Sequence, residues 1–202
     1  MPKIVDHDTR REEIAQALWR VVRRDGIRAA SVRSVAAEAG WSAGAVRYYF
    51  PDQAGLVAFA MDLVSRRVGD RIRALDTTGP LTDVVLRFLE EVIPLDPERQ
   101  AEFDIWLSFI AQAQAESGAG GLREVLTPVH QGLRDLCKSL LHSLSQADAL
   151  RPDLHLDLET DRLHALIDGL SLHAALQPTA STPERVREIL RAHLMDLQPL
   201  RP

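Results

Sequence analysis

The sequence predicts an all-α protein of about nine helices, and three observations carry that expectation. Alanine, leucine, arginine and glutamate, all good helix formers, dominate the 202 residues. No segment alternates apolar and polar residues with a period of two, so nothing reads as a half-buried strand. Glycine, proline and short polar clusters then divide the chain into helix-length pieces.

Taken in order, Ile14, Leu18, Val21 and Val22 recur at helical spacing and predict a first helix over 8–25 that stops at Gly26. Ser31 is the expected N-cap of a short second helix carrying Val32, Val35, Ala36 and Ala39, with Gly40 closing it. Ser42 caps a third short helix, ended by Pro51, and Asp52 caps a long fourth one to residue 75, about 35 Å in length. After "DTTGP" (76–80) come helices over 81–93 and 97–117, with Pro94 and Pro97 between them. "SGAGG" (117–121) is the next breaker. A seventh helix covers 122–146, with a kink or restart expected at Thr127-Pro128. "RPD" (151–153) and "QPTASTPE" frame the last two helices, over 157–176 and 184–198. There is no internal repeat.

Several classes are excluded by composition. The longest run free of strongly polar residues, "AGLVAFAM" (54–61), is far below a membrane span, and "MPKIVDHDTRR" lacks the apolar stretch of a secretory signal. The lone Cys137 excludes an intramolecular disulfide and a cysteine-based zinc finger. A soluble cytoplasmic chain is expected. Its net charge of −5 is unevenly spread: residues 1–52 hold nine Lys/Arg against seven Asp/Glu, while residues 53–202 hold fifteen against twenty-two. A mildly basic head (1–52) on an acidic body (53–202) suits nucleic-acid binding by the head alone.

The stretch "SAGAVRYYF" (42–50) sharpens this. On a helical wheel Ala45, Val46, Tyr49 and Phe50 form an apolar arc that can pack on the first two helices. The other arc, Ala43, Gly44, Arg47 and Tyr48, is bare at its start and carries a cation and a phenol further along. A helix entering the major groove needs that design. Small side chains let the backbone approach, and Arg and Tyr reach base edges or phosphates. Short helix, glycine turn, short helix is the helix-turn-helix pattern. A plain helical hairpin with incidental small residues is the bland alternative.

Residues 31–56, "SVRSVAAEAGWSAGAVRYYFPDQAGL", resemble the DNA-binding domain of TetR-type transcriptional regulators. The likeness spans residues 9–58 and rests on Ala39, Gly40, Ser42, Gly44, Tyr49 and Phe50 in order, followed by proline and a long helix. It implies Ser31 and Arg33 on phosphate, Trp41, Ser42 and Ala43 at the groove edge, and Ala43, Gly44 and Arg47 facing bases. Tyr48 then faces base or backbone, with Tyr49 and Phe50 in the core. Two positions depart from the pattern: Arg47 stands where many members carry tyrosine, and Gln53 where many carry lysine. The first shifts expected readout toward guanine, and the second removes an expected phosphate contact.

For the body, the resemblance implies a helical ligand-binding and dimerisation domain. Residues 98–113, 149–154 and 166–176 are similar to members related to the betaine-responsive regulator, a likeness of build that names no ligand. From periodicity alone, Leu163, Leu166, Ile167 and Leu170 of helix 8, with Val186, Ile189, Leu190 and Leu194 of helix 9, are the expected dimer interface, although both stripes would equally close the protomer core. Met61, Phe88, Phe103, Trp106, Ile110, His130 and Cys137 are the expected lining of an apolar ligand cavity, where the alternative is ordinary core.

Neither a cofactor nor a metal is expected. His130 and Cys137 lie two helical turns apart, about 10 Å, too far to chelate one ion. His164 and Asp168, one turn apart, read as a hydrogen-bonded interface pair. An enzyme is the second class weighed, but HExxH, GxSxG and phosphate-loop patterns are all missing. A third is an architectural DNA binder with a filled body. The leading expectation is a homodimeric repressor of a palindromic double-stranded DNA operator, released by a small-molecule effector.

Overall fold

A computed structural model describes residues 7–115 and 122–199. Among these, nine α-helices and one turn of 3₁₀ helix occur and no strand does. The helices are α1 (His7–Asp25), α2 (Val32–Ala39), α3 (Ala43–Tyr49), α4 (Gln53–Ala74) and α5 (Leu81–Glu90), then α6 (Pro97–Ala115), α7 (Leu122–Gln146), α8 (Leu156–Leu176) and α9 (Pro183–Asp196). The 3₁₀ turn, Ile27–Ala29, follows α1. The fold class is as the sequence predicts. The expected breaker at 117–121 lies outside the described residues.

Two helix boundaries differ from expectation. α5 stops at Glu90, because Glu91 to Ile93 tighten into turns whose amides reach only three residues back. α7 runs unbroken through Pro128, where a kink or restart was expected. One lost amide donor is tolerated in a helix of 25 residues.

The chain divides into two compact units, residues 1–67 with 104–125, and residues 68–103 with 126–202. Three helices, α4, α6 and α7, contribute residues to both. In the first unit Ile14, Leu18, Val21 and Val22 of α1 are buried together with Val35 and Ala36 of α2, Val46 of α3, Phe50, and Leu56 and Phe59 of α4. Phe50 stacks on Phe59 with centroids 4.6 Å apart, which adds about 0.5–1.5 kcal/mol to the burial itself.

In the second unit α5, α7, α8 and α9 share one core, in which Leu89, Leu141, Leu163 and Leu190 are fully buried. Beside it lies a charged cluster. Arg71 on α4 donates to both carboxylate oxygens of the buried Glu102 on α6, at 2.7 and 2.6 Å, and to Glu91 at 2.8 Å. Arg99 adds Asp96 at 2.7 Å. The Glu102 bonds, and then Glu91, hold the Arg71 guanidinium above its ordinary range against the opposing effect of burial. Such a pair is costly to break, because the survivor is left charged and desolvated.

Candidate nucleic-acid interface

Local chemistry fixes both short helices of the head. Ser31, extended at φ −122°, accepts the Ser34 amide at 3.1 Å, and Ser34 Oγ in turn accepts the Ser31 amide at 2.8 Å. This reciprocal cap satisfies two amides that the first turn of α2 leaves unpaired. Gly40 ends α2 at φ +71°, a left-handed conformation open to glycine at little cost, and the Trp41 amide then bonds back to the Ala36 carbonyl at 2.8 Å. Ser42 starts α3 by accepting the Ala45 amide at 3.1 Å. Asp52 does the same for α4, accepting the Gly55 amide at 2.8 Å. The turn between α2 and α3 is therefore only Gly40, Trp41 and Ser42.

α3 divides as its wheel requires. Val46 and, at its end, Phe50 are buried, while Gly44, Arg47 and Tyr48 are exposed, Tyr48 by 75%. Ala43 is half-buried. Gly44 is not demanded by the fold: its φ is not positive, and an added Cβ would meet nothing closer than Ser42 Oγ at 3.9 Å. Arg33 and Arg47 are exposed and make no ion pair among the described residues. Tyr49 is only half-buried, where a core position was expected, because Trp41 (6.1 Å) and Tyr48 (5.3 Å, edge-on) flank its ring at the surface.

Trp41 is itself held by Arg10, whose guanidinium sits 4.7 Å over the indole. Arg10, Trp41, Ser42, Ala45, Tyr48 and Tyr49 line a shallow open depression beside α3. Arg20 and Arg24 of α1 both close on Glu38 of α2, at 2.7 and 2.8 Å, and hold its carboxyl below the usual range. All eight residues expected at DNA thus lie on α2, α3 and the three-residue turn between them, or at the α2 cap. The side chain of Gln53 lies outside the described residues.

The seven expected ligand residues divide between the units: Met61, Trp106 and Ile110 fall in the first, Phe88, Phe103, His130 and Cys137 in the second. Cys137 is fully buried and Phe88 packs against that same core. Burial, and then Asp168, pushes the Cys137 thiol up to about 12.

Most of the expected dimer stripe is buried within the protomer. Leu163, Ile167, Leu170, Val186, Leu190 and Leu194 are buried in the protomer's own core, with Leu166 and Ile189 packed at its edge. The six buried side chains are spent on that core, and Leu166 and Ile189 are partly buried. The apolar residues that α8 and α9 expose are others: Leu158, Leu172, Leu176 and Met195, between 40% and 67% accessible. The three leucines recur on one face of α8, spaced by fourteen and four residues, and that spacing is visible in the sequence. His130 of α7 lies beside His164 and Asp168 of α8, a neighbourhood that spacing within one helix does not encode.

Two family models match the chain. Residues 14–59 match the bacterial regulatory proteins of the tetR family, and residues 81–199 match the BetI-type transcriptional repressor C-terminal domain. The chain is 37% identical over 195 residues to the HTH-type transcriptional regulator PksA of Bacillus subtilis (strain 168), covering 96% of this chain and 92% of that one. It is 30% identical to the HTH-type transcriptional regulator BetI of Ectopseudomonas mendocina (strain ymp), covering 98% and 97%. A solved transcriptional regulator from Rhodococcus sp. Rha1 superposes with a TM-score of 0.75 at 25% identity, over 93% of this chain and 95% of that one. Among the described residues no helix is long and apolar enough to cross a membrane. The capped short helices, the exposed arc of α3 and these matches agree: the chain belongs to the TetR family of transcriptional regulators, with a helix-turn-helix DNA-binding head and a ligand-binding C-terminal domain.

Proposed function

We propose that this regulator is a repressor that binds a palindromic operator as a homodimer and is released by a small-molecule effector bound in its C-terminal domain. The observation that carries the DNA contact is the outer arc of α3, where Gly44 faces open space and Arg47 and Tyr48 are exposed. α3 enters the major groove, Ala43 and Gly44 letting its backbone approach. Arg47 reads the O6 and N7 edge of guanine, and Tyr48 meets base or backbone. Ser31 and Arg33 hold phosphates, and Trp41 and Ser42 stand at the groove edge.

Two copies place α3 in successive grooves about 34 Å apart. The exposed face of α8 (Leu158, Leu172 and Leu176), with Met195 of α9, supplies apolar surface for the pairing. An effector acts only through its preference for one spacing of the two heads over the other. α4, which leads from α3 into the second unit, is the element whose tilt sets that spacing.

Fluorescence anisotropy against the DNA upstream of the chain's own gene, with a scrambled duplex as control and at two salt concentrations, tests the reading. Tight binding to the native fragment with a large ratio over the scramble is expected. Arg47→Ala is expected to erase about 1–3 kcal/mol of that discrimination, concentrated at one guanine per half-site. Equal, weak, salt-sensitive binding to both duplexes overturns sequence-specific regulation in favour of an architectural role.

A further inference from the structure

α7 and α8 bring together three side chains that DNA binding does not use. His130 lies on α7, His164 and Asp168 one turn apart on α8, and one ligand atom of each lies within 4.8 Å of the other two. The two imidazoles lie with centroids 4.4 Å apart and their planes tilted by 43°. His164 Nε2 faces Asp168 Oδ2 at 3.7 Å, beyond hydrogen-bond reach. That nitrogen is buried with no hydrogen-bond partner, in a side chain only 7% exposed. A buried ring nitrogen left unpaired calls for a reason, and packing supplies none here, since the atom points at a carboxylate without touching it.

We propose that His130, His164 and Asp168 form a site for a divalent transition-metal ion, zinc or cobalt(II) being the matching probes. Two imidazoles and one carboxylate are a donor set suited to such ions, and three protein ligands leave one tetrahedral position for water or an anion. Metal–ligand bonds of about 2.0–2.2 Å put donor atoms roughly 3.4 Å apart in a tetrahedron. Closing from 4.8 Å requires a shift of about 1.5 Å between the outermost donors. The exposed ring of His130 can supply it by rotation.

The surroundings permit the ion. His164 is buried, Asp168 half-buried and His130 exposed, so the cluster opens to solvent on the His130 side. Arg134, one turn beyond His130, is paired with Asp161 at 2.8 Å. Cys137, a further turn on, is buried within the core. The ion ties α7 to α8 and stabilises only the folded chain. This assignment goes beyond the repressor reading and does not depend on it.

The test is titration of metal-free, untagged, full-length protein with cobalt(II), followed by visible absorption and then by zinc displacement. One cobalt(II) per chain is expected, with ligand-field bands of a low-coordinate nitrogen–oxygen site that zinc abolishes, and a rise in melting temperature on zinc addition. His130→Ala removes an exposed ring and leaves the core intact. It is expected to lose at least about tenfold in affinity, the loss typical even of an outer-shell partner. Asp168→Asn, of nearly the same shape, is expected to lose as much. His173→Ala, an exposed histidine elsewhere on α8, is expected to change nothing. Binding by His130→Ala or Asp168→Asn as tight as the parent's overturns the site, as does equal loss in His173→Ala.

Discussion

In the head, α3 turns its smallest and most polar residues outward and buries only Val46 and Phe50; in the second unit, α8 and α9 turn most of their leucines inward and still leave Leu158, Leu172, Leu176 and Met195 at the surface. The first surface is underfilled and the second overfilled. A groove-entering helix of seven residues must keep its outer arc thin, so its stability comes from caps and two anchors. A helix of 21 residues that is apolar nearly all round satisfies one core and has a face to spare. The comparison teaches that an apolar stripe says a face is buried without saying by whom.

Three substitutions sharpen or break this contrast. Leu163→Ala, inside the core, is expected to cost about 2–5 kcal/mol of protomer stability in urea unfolding. A loss below about 0.5 kcal/mol would return Leu163 to the intersubunit surface. Gly44→Ala is expected to raise stability by about 0.5–1 kcal/mol, since α3 gains a helix former in open space, while weakening operator binding in the anisotropy assay. Stability and affinity both rising would remove Gly44 from the interface. Leu176→Glu is expected to move folding stability by less than about 0.5 kcal/mol yet convert dimer to monomer in sedimentation. An unchanged sedimentation coefficient would place the pairing surface elsewhere.

What was legible in the sequence follows the range of the interactions concerned. Ser31, Gly40, Ser42 and Asp52 set helix ends through bonds to residues at most four positions away, so the head could be drawn residue by residue. The stripes on α8 and α9 were equally visible, but their partners lie on α5 and α7, and only packing decides between core and interface. His130 and His164 are 34 residues apart and meet because α7 and α8 pack side by side, a juxtaposition that no local spacing encodes. At Pro128 the helix does not restart, because the rest of the long helix outweighs one missing donor.

The clamp of Arg20 and Arg24 on Glu38 has a consequence for how the head meets a polyanion. Two of its arginines are already neutralised by a carboxylate of α2, and Arg10 is engaged with Trp41 and Glu13. Fewer phosphates are then neutralised than the arginine count suggests, and fewer condensed counterions are expelled on binding. Each phosphate contact contributes about −0.9 to the slope of log affinity against log salt on duplex DNA. A shallow slope would therefore register how many of the head's cations are spent on holding α1 to α2, leaving recognition to rest on the bases.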